Sequence, residues 1–167
     1  MGGVGLSVER TGQDVVRPAA FSLPRIRVGR RADLDALDDL ERHFFGADSF
    51  AKNLIDYSLC SANQVVLVAE IGRVIVGSAT IWMHTHSARL YSIGVHPDYR
   101  NRWIGFILMK KCERIARERG CTVVRLEVRV DNPTALEFYR RNHYKCVGCR
   151  RSYYGDGTAA LKLEKVL

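Results

Sequence analysis

Residues 90–105, LYSIGVHPDYRNRWIG, run from a β-rich segment through a basic turn into an amphipathic stretch, and their reading decides the fold. Arg89 to Val95 reads as a strand. After Pro97 the period changes: Ile104, Ile107, Leu108, Cys112, Ile115 and Ala116 form one apolar stripe at helical spacing, ended by Gly120. Thr122 to Val130 then alternates Val124, Leu126, Val128 and Val130 against Arg125, Glu127 and Arg129, the pattern of a half-buried strand. Strand, helix, strand is a βαβ unit, so the two strands are expected to run parallel. The turn itself suits phosphate: unpaired N–H groups at the helix start, the positive end of its dipole, and Arg100 and Arg102 are the donors a pyrophosphate needs.

Working outward, Ile26 to Val28 predicts a short strand, and Leu34, Leu37, Leu40 and Phe44 predict a helix with Asp33 and Asp35 near its positive end. A second helix is expected from about Ser49 to Leu59. Val65 to Ile71 and Val74 to Trp82, separated by Gly72 and Arg73, read as a hairpin. Beyond the βαβ unit, Pro133 permits a helix carrying Ala135, Phe138 and Tyr139, and strands at Tyr144 to Cys149 and Ala159 to Glu164 follow. The expectation is a mixed α/β (α+β) single domain over residues 24–167, preceded by a mobile extension of residues 1–23 that ends at the Pro24 boundary.

The bulk numbers are compatible with that. A chain of 167 residues is the size of one domain, and 47% hydrophobic with 26% charged content is ordinary for a globular protein. No apolar run approaches the roughly 18 residues needed to cross a bilayer, and the first residues hold no long apolar h-region, so a cytoplasmic setting without membrane attachment is expected. Five cysteines, an odd number, fit reduced thiols. Cys146 and Cys149 form a lone CxxC, but on a regular strand positions three apart point to opposite faces, which argues against zinc or redox use. His84 and His86 lack further ligands nearby and read as solvated loop histidines, so no metal is expected. The net charge of +8 attracts anions, whether nucleic acid, an acidic partner or a phosphorylated cofactor; without a nucleic-acid motif the basic surface argues against a dedicated groove.

On these residues the chain resembles the GCN5-related N-acetyltransferases. The stretch VHPDYRNRWIGFILMKK is similar to that family's cofactor loop, whose pattern is Arg or Gln, two residues, Gly, one residue, then Gly or Ala. Arg100 and Gly105 match, and Trp103 departs. LEVRVDNPTALEFYRRNHY resembles the downstream segment, where Asn132, Ala135 and Tyr139 match in identity and spacing. The LEVR run and the Tyr153-Tyr154 pair look most like the bacterial ribosomal-protein alanine N-acetyltransferases. The resemblance implies acetyl transfer from acetyl-CoA to a primary amine, with Glu127 as general base and Tyr139 as general acid. It further implies that the cofactor is held by Ile93, Gly94 and Val95, by Arg100, Asn101, Arg102, Trp103, Ile104, Gly105 and Phe106, and by Asn132.

The chemistry suits those residue types. An amine must lose a proton to attack a thioester, and the departing thiolate must gain one. An α-amine with a pKa of about 7.8 gives up its proton roughly 3.5 kcal/mol more readily than a lysine at about 10.4, which favours a protein or peptide N-terminus as acceptor over a side chain. A small amine remains the alternative. So does a catalytically idle acyl-CoA-binding domain, because Trp103 can swing away, stack over the cofactor or block its cleft. His143 stands where relatives usually carry Gly, a position that His and Asn tolerate better than most residues. Taken singly, a Glu on a strand's polar face is usually solvated, a Tyr at helical spacing is usually core, and Asn132 before Pro133 is a common helix cap. Their joint spacing behind the basic turn favours the catalytic reading. Phe44, Phe45 and Phe50 either shape a peptide entrance between the first two helices or pack as core.

Overall fold

A computed structural model describes residues 23–167, so the expected extension lies, apart from Leu23, outside the described residues. The strands are β1 (Arg25–Val28), β2 (Gln64–Ile71), β3 (Val74–Met83), β4 (Ser87–Val95), β5 (Val123–Arg129), β6 (Lys145–Arg150) and β7 (Ala160–Val166). The helices are α1 (Leu34–Phe45), α2 (Lys52–Cys60), α3 (Ile104–Glu118) and α4 (Pro133–Arg141). One seven-stranded sheet in the order β1-β2-β3-β4-β5-β7-β6 carries them all. Every neighbouring pair is antiparallel except β4 and β5, which run parallel as the βαβ reading requires.

Two apolar cores form on the two faces of this sheet. On one face Leu108, Met109, Cys112 and Ala116 of α3 pack with Ile81, Leu90, Val124 and Leu126 from the strands, and Tyr139 and Tyr144 join them. On the other, Leu37 of α1 and Ile55 of α2 pack on Val66 and Val68 of β2. Each fully buried Leu or Ile contributes about 1.5–3 kcal/mol, so the apolar periodicity decides which way each element faces. The α3 stripe also buries one charge, Glu113, whose carboxylate receives Lys165 of β7 at 2.8 Å and Lys110 at 3.1 Å.

Local signals explain the boundaries. Gly72 (φ +64) makes the two-residue β2–β3 turn, with Ile71 opposite Val74. The second helix starts at Lys52 instead of Ser49, because Gly46–Asp48 forms a 3-10 turn and both Ser49 and Ala51 are extended. At the end of α4, His143 adopts φ +67, its N–H donates to the Arg140 carbonyl at 2.9 Å, and the Tyr144 N–H donates to that of Tyr139 at 3.0 Å. That is the two-bond ending usually made by Gly, here made by His.

The reading of the CxxC geometry is corrected. β6 carries a bulge between Cys146 and Gly148, so Cys146 pairs with Leu163 and Cys149 with Leu161. Leu161 and Leu163 share one face of β7, and the extra residue therefore brings both thiols to the same face of an edge strand.

Candidate active site

Pairing between β4 and β5 is confined to Ser87–Arg89 against Val123–Arg125, although β4 runs on to Val95 and β5 to Arg129. Beyond Arg89 the two strands part. A bulge in β4 lies at the start of this gap: Ile81 pairs with Leu90 and Thr80 with Ser92, leaving Tyr91 extra. Ile93, Gly94 and Val95 therefore pair with β3 on one side and face the gap on the other. A strand edge of this kind can hydrogen-bond an extended ligand such as a pantetheine arm.

At the far end of β4 the chain makes a 3-10 turn, Pro97–Tyr99, then enters α3 with Asn101 (φ +59) and Trp103 (φ +63) in the left-handed region. Among the described residues the backbone N–H groups of Trp103, Ile104 and Gly105 have no acceptor, so they form an open anion cradle at the positive end of a fifteen-residue helix. Arg100 donates from Nε to the Val95 carbonyl at 3.1 Å, and Arg102 lies over the Tyr99 ring at 5.2 Å. The Trp103 indole is 74% exposed and rests edge-on against Phe106 at 5.8 Å.

Two glycines differ in what they need. A Cβ on Gly105 would sit 3.4 Å from the Phe138 ring, ordinary contact, which leaves room for Ala. A Cβ on Gly94 would meet the Phe44 ring of α1 at 2.0 Å, so this glycine is demanded by α1 lying against the strand. Asn132 caps α4, accepting from the Ala135 N–H at 3.0 Å through Oδ1, which leaves its amide nitrogen for other partners.

Glu127 lies on the part of β5 that borders the gap, and Tyr139 belongs to the core on the opposite face of the sheet. Val124, Leu126 and Val128 of β5 point into the α3 core, so Glu127 points to the α1–α2 face, where its carboxylate meets Arg89 at 2.9 Å. Arg89 also donates to the Tyr153 hydroxyl at 2.9 Å and stacks on Tyr91 at 4.9 Å. Its Nε is buried without a hydrogen-bond partner among the described residues, a donor beside Glu127. Tyr139 belongs to the α3 side, edge-on to Tyr144 at 5.8 Å; its hydroxyl has no hydrogen-bond partner among the described residues, and burial pushes its pKa well up. Tyr154, which lies close enough to raise it further, is itself pushed by burial to about 12.

Two features here escape a reading by motif. Arg129, two residues beyond Glu127 and on the same face, gathers Asp48 at 2.6 Å, Asp131 at 3.0 Å and Asp156 at 2.5 Å, and lies 4.7 Å over Tyr154. It ties three separate loops to one rim. Glu41 is 5% exposed and lines a cavity of about 300 Å³ between α1, α2 and the sheet, together with Phe50, Trp82, Tyr91 and Ser92. Its oxygens accept weakly from the Phe50 N–H at 3.4 Å and the Ser92 hydroxyl at 3.3 Å, and burial pushes its pKa up to about 7. The signal was readable, since Glu41 stands four residues past Leu37 on the apolar stripe of α1. Phe44, Phe45 and Phe50 divide: Phe44 covers Gly94, Phe45 packs on Phe44, and Phe50 walls the cavity.

Among the described residues no group of three or more His, Cys, Asp or Glu could hold a metal ion, and no helix is long and apolar enough to cross a membrane.

Comparison with known proteins agrees with this geometry. Residues 34–144 match the model of the acetyltransferase (GNAT) family. An acetyltransferase of Pectobacterium atrosepticum is 39% identical over 86 residues, which is 52% of this chain and 61% of that protein's length. Among solved structures, the ribosomal-protein-S18-alanine N-acetyltransferase of Escherichia coli superposes with a TM-score of 0.78 at 22% identity, over 86% of this chain and 94% of that one. The PaiA N-acetyltransferase of Thermoplasma acidophilum, solved with coenzyme A, gives 0.72 at 18% identity, over 86% and 99%.

Proposed function

The chain belongs to the acetyltransferase (GNAT) family, and on that premise we propose that it transfers the acetyl group of acetyl-CoA to a primary amine, the α-amine of a protein or peptide N-terminus. One observation carries this reading: β4 and β5 part beside a carboxylate paired with an arginine on one face of the sheet, and the core of the other face holds a buried tyrosine. An acyl donor laid along β4 then meets its acceptor through the sheet. The three unpaired N–H groups at the start of α3, with Arg100 and Arg102 nearby, hold the pyrophosphate, and Ile93 to Val95 hold the pantetheine arm and polarise the acetyl carbonyl. The exposed indole of Trp103 favours an active domain over a catalytically idle one.

Acetylating an ammonium removes two protons from its nitrogen, one before attack and one as the C–N bond matures. Glu127 acts as base, and Tyr139 protonates the departing thiolate; a phenol of high pKa in a dry site is kept in its protonated, donating form. The rim around Arg129 carries three carboxylates against one guanidinium and so favours a cationic acceptor. The Escherichia coli neighbour acts, by its name, on an alanine of a ribosomal protein, which is consistent with an α-amine here. A reducing, cytoplasmic setting suits the five thiols, all of them unpaired.

Incubation with acetyl-CoA and a panel of N-terminal peptides adds an acetyl mass. Glu127→Gln and Tyr139→Phe each lower the rate by about 100-fold or more with the fold intact. Unchanged rates in both variants remove the assigned roles. The modest cavity, about 300 Å³, favours a small amine as the second reading, and faster turnover of polyamines than of peptides would select it.

A further inference from the structure

We propose that Glu41 is a second catalytic carboxylate, the group that takes the first proton from the acceptor's ammonium, while Glu127 takes the second after attack. The inference deepens the acetyltransferase reading and rests on it. The proton balance requires two removals: R–NH3+ gives one proton to the Glu41 carboxylate and becomes the nucleophile. The amine then bonds to the acetyl carbon, and the resulting R–NH2+ centre gives its proton to Glu127. The C–S bond breaks, and the thiolate takes its proton from Tyr139. Both glutamates later release theirs to solvent, one of which restores Tyr139.

The two carboxylates are placed for different tasks. Glu127 is engaged in an ion pair with Arg89 at 2.9 Å. Glu41 has no such partner among the described residues. Among the described residues no Lys, Arg or His lines its cavity; the titratable groups that do are Tyr57 from α2 and Tyr91 from β4, while β2 and β3 present Gln64, Ser78 and Thr80. On its own helix Asp38 is committed to Arg42 at 2.7 Å. Its own oxygens receive only two long hydrogen bonds, from Phe50 and Ser92. Such a site raises a carboxylate toward the α-amine's own value of about 7.8, where proton transfer between the two is nearly balanced. Ser92 immediately precedes Ile93, so the carboxylate abuts the segment of β4 that faces the gap.

Single-turnover rates with saturating peptide and acetyl-CoA, measured from pH 5.5 to 9, test this. The wild-type rate falls below a pH of about 7. Glu41→Gln keeps a carbonyl oxygen for the Phe50 and Ser92 donors, lowers the rate about 100-fold and flattens the fall; Glu127→Gln lowers the rate but keeps it. Ser92→Ala removes a hydrogen bond to the charged form and moves the fall to higher pH, a shift that a merely structural Glu41 would not produce. A Glu41→Gln enzyme with wild-type rate and profile overturns the proposal while leaving the acetyltransferase reading in place, as does a fall that stays put in Ser92→Ala. A wild-type chain that acetylates no peptide or amine overturns the parent reading and this one with it.

Discussion

Glu41 shows how a single residue links stability to chemistry. Its pKa lies near 7 in the fold, against about 4.3 in an unfolded chain, because burial disfavours the charged form. The folded state therefore binds this proton more tightly than the unfolded one. The associated stability is complete below about pH 4 and is lost as pH rises through about 7. At pH 8 the buried charge costs on the order of 3 kcal/mol, so Glu41→Gln is expected to raise Tm relative to wild type at pH 8 and not at pH 5. Thermal melts at the two values check it, and equal differences at both remove the buried-charge argument. A group that destabilises its own fold at working pH is what a functional site requires and what a core position avoids.

At the scale of elements, the turn into α3 carries the largest local departure from family expectation. Trp103 sits at φ +63, a region costing a non-glycine residue about 1–2 kcal/mol, and its ring gains only an edge contact with Phe106. Trp103→Gly is expected to raise stability by about 1 kcal/mol or less after the added chain entropy of Gly, and to change coenzyme A affinity by less than about threefold. Calorimetry tests the second half; a large gain in affinity would mean that the indole obstructs the cradle. The same turn shows what a sequence can and cannot carry. The α3 stripe and the alternation of β5 were legible because burial on one face imposes a period, and the Gly72 turn because few residues accept its backbone angle. The bulges at Tyr91 and beside Gly148 were not, since an extra residue in a strand is set by its partner across the ladder. Hence Cys146 and Cys149 were assigned to opposite faces. Glu127 and Tyr139 are assigned by resemblance to the family's pattern, whereas Arg89 and Arg129, which engage the carboxylates around them, make contacts between residues 27 to 81 apart that no local pattern marks.

The molecule as a whole is a sheet with two cores and one opening between them. The α3–α4 side holds the helix start proposed to bind phosphate and the buried Tyr139; the α1–α2 side holds the cavity, Glu41 and the Arg129 rim. On the proposed mechanism the two sides meet where β4 and β5 separate. The net charge of +8 is compatible with this division, since a basic chain attracts polyanions in general.

The parted strands also set a clock that requires no catalysis to read. Amides that face the opening lack the ladder that shields the rest of β4 and β5, so in heavy water they should trade hydrogen for deuterium early, while the paired segment around Ala88 and Val124 holds its protons far longer. Coenzyme A lying along Ile93 to Val95 would slow that trade locally and leave β1 and β2 untouched. A ligand that instead protected both flanks of the sheet equally would be clamping the whole domain, not filling a seam.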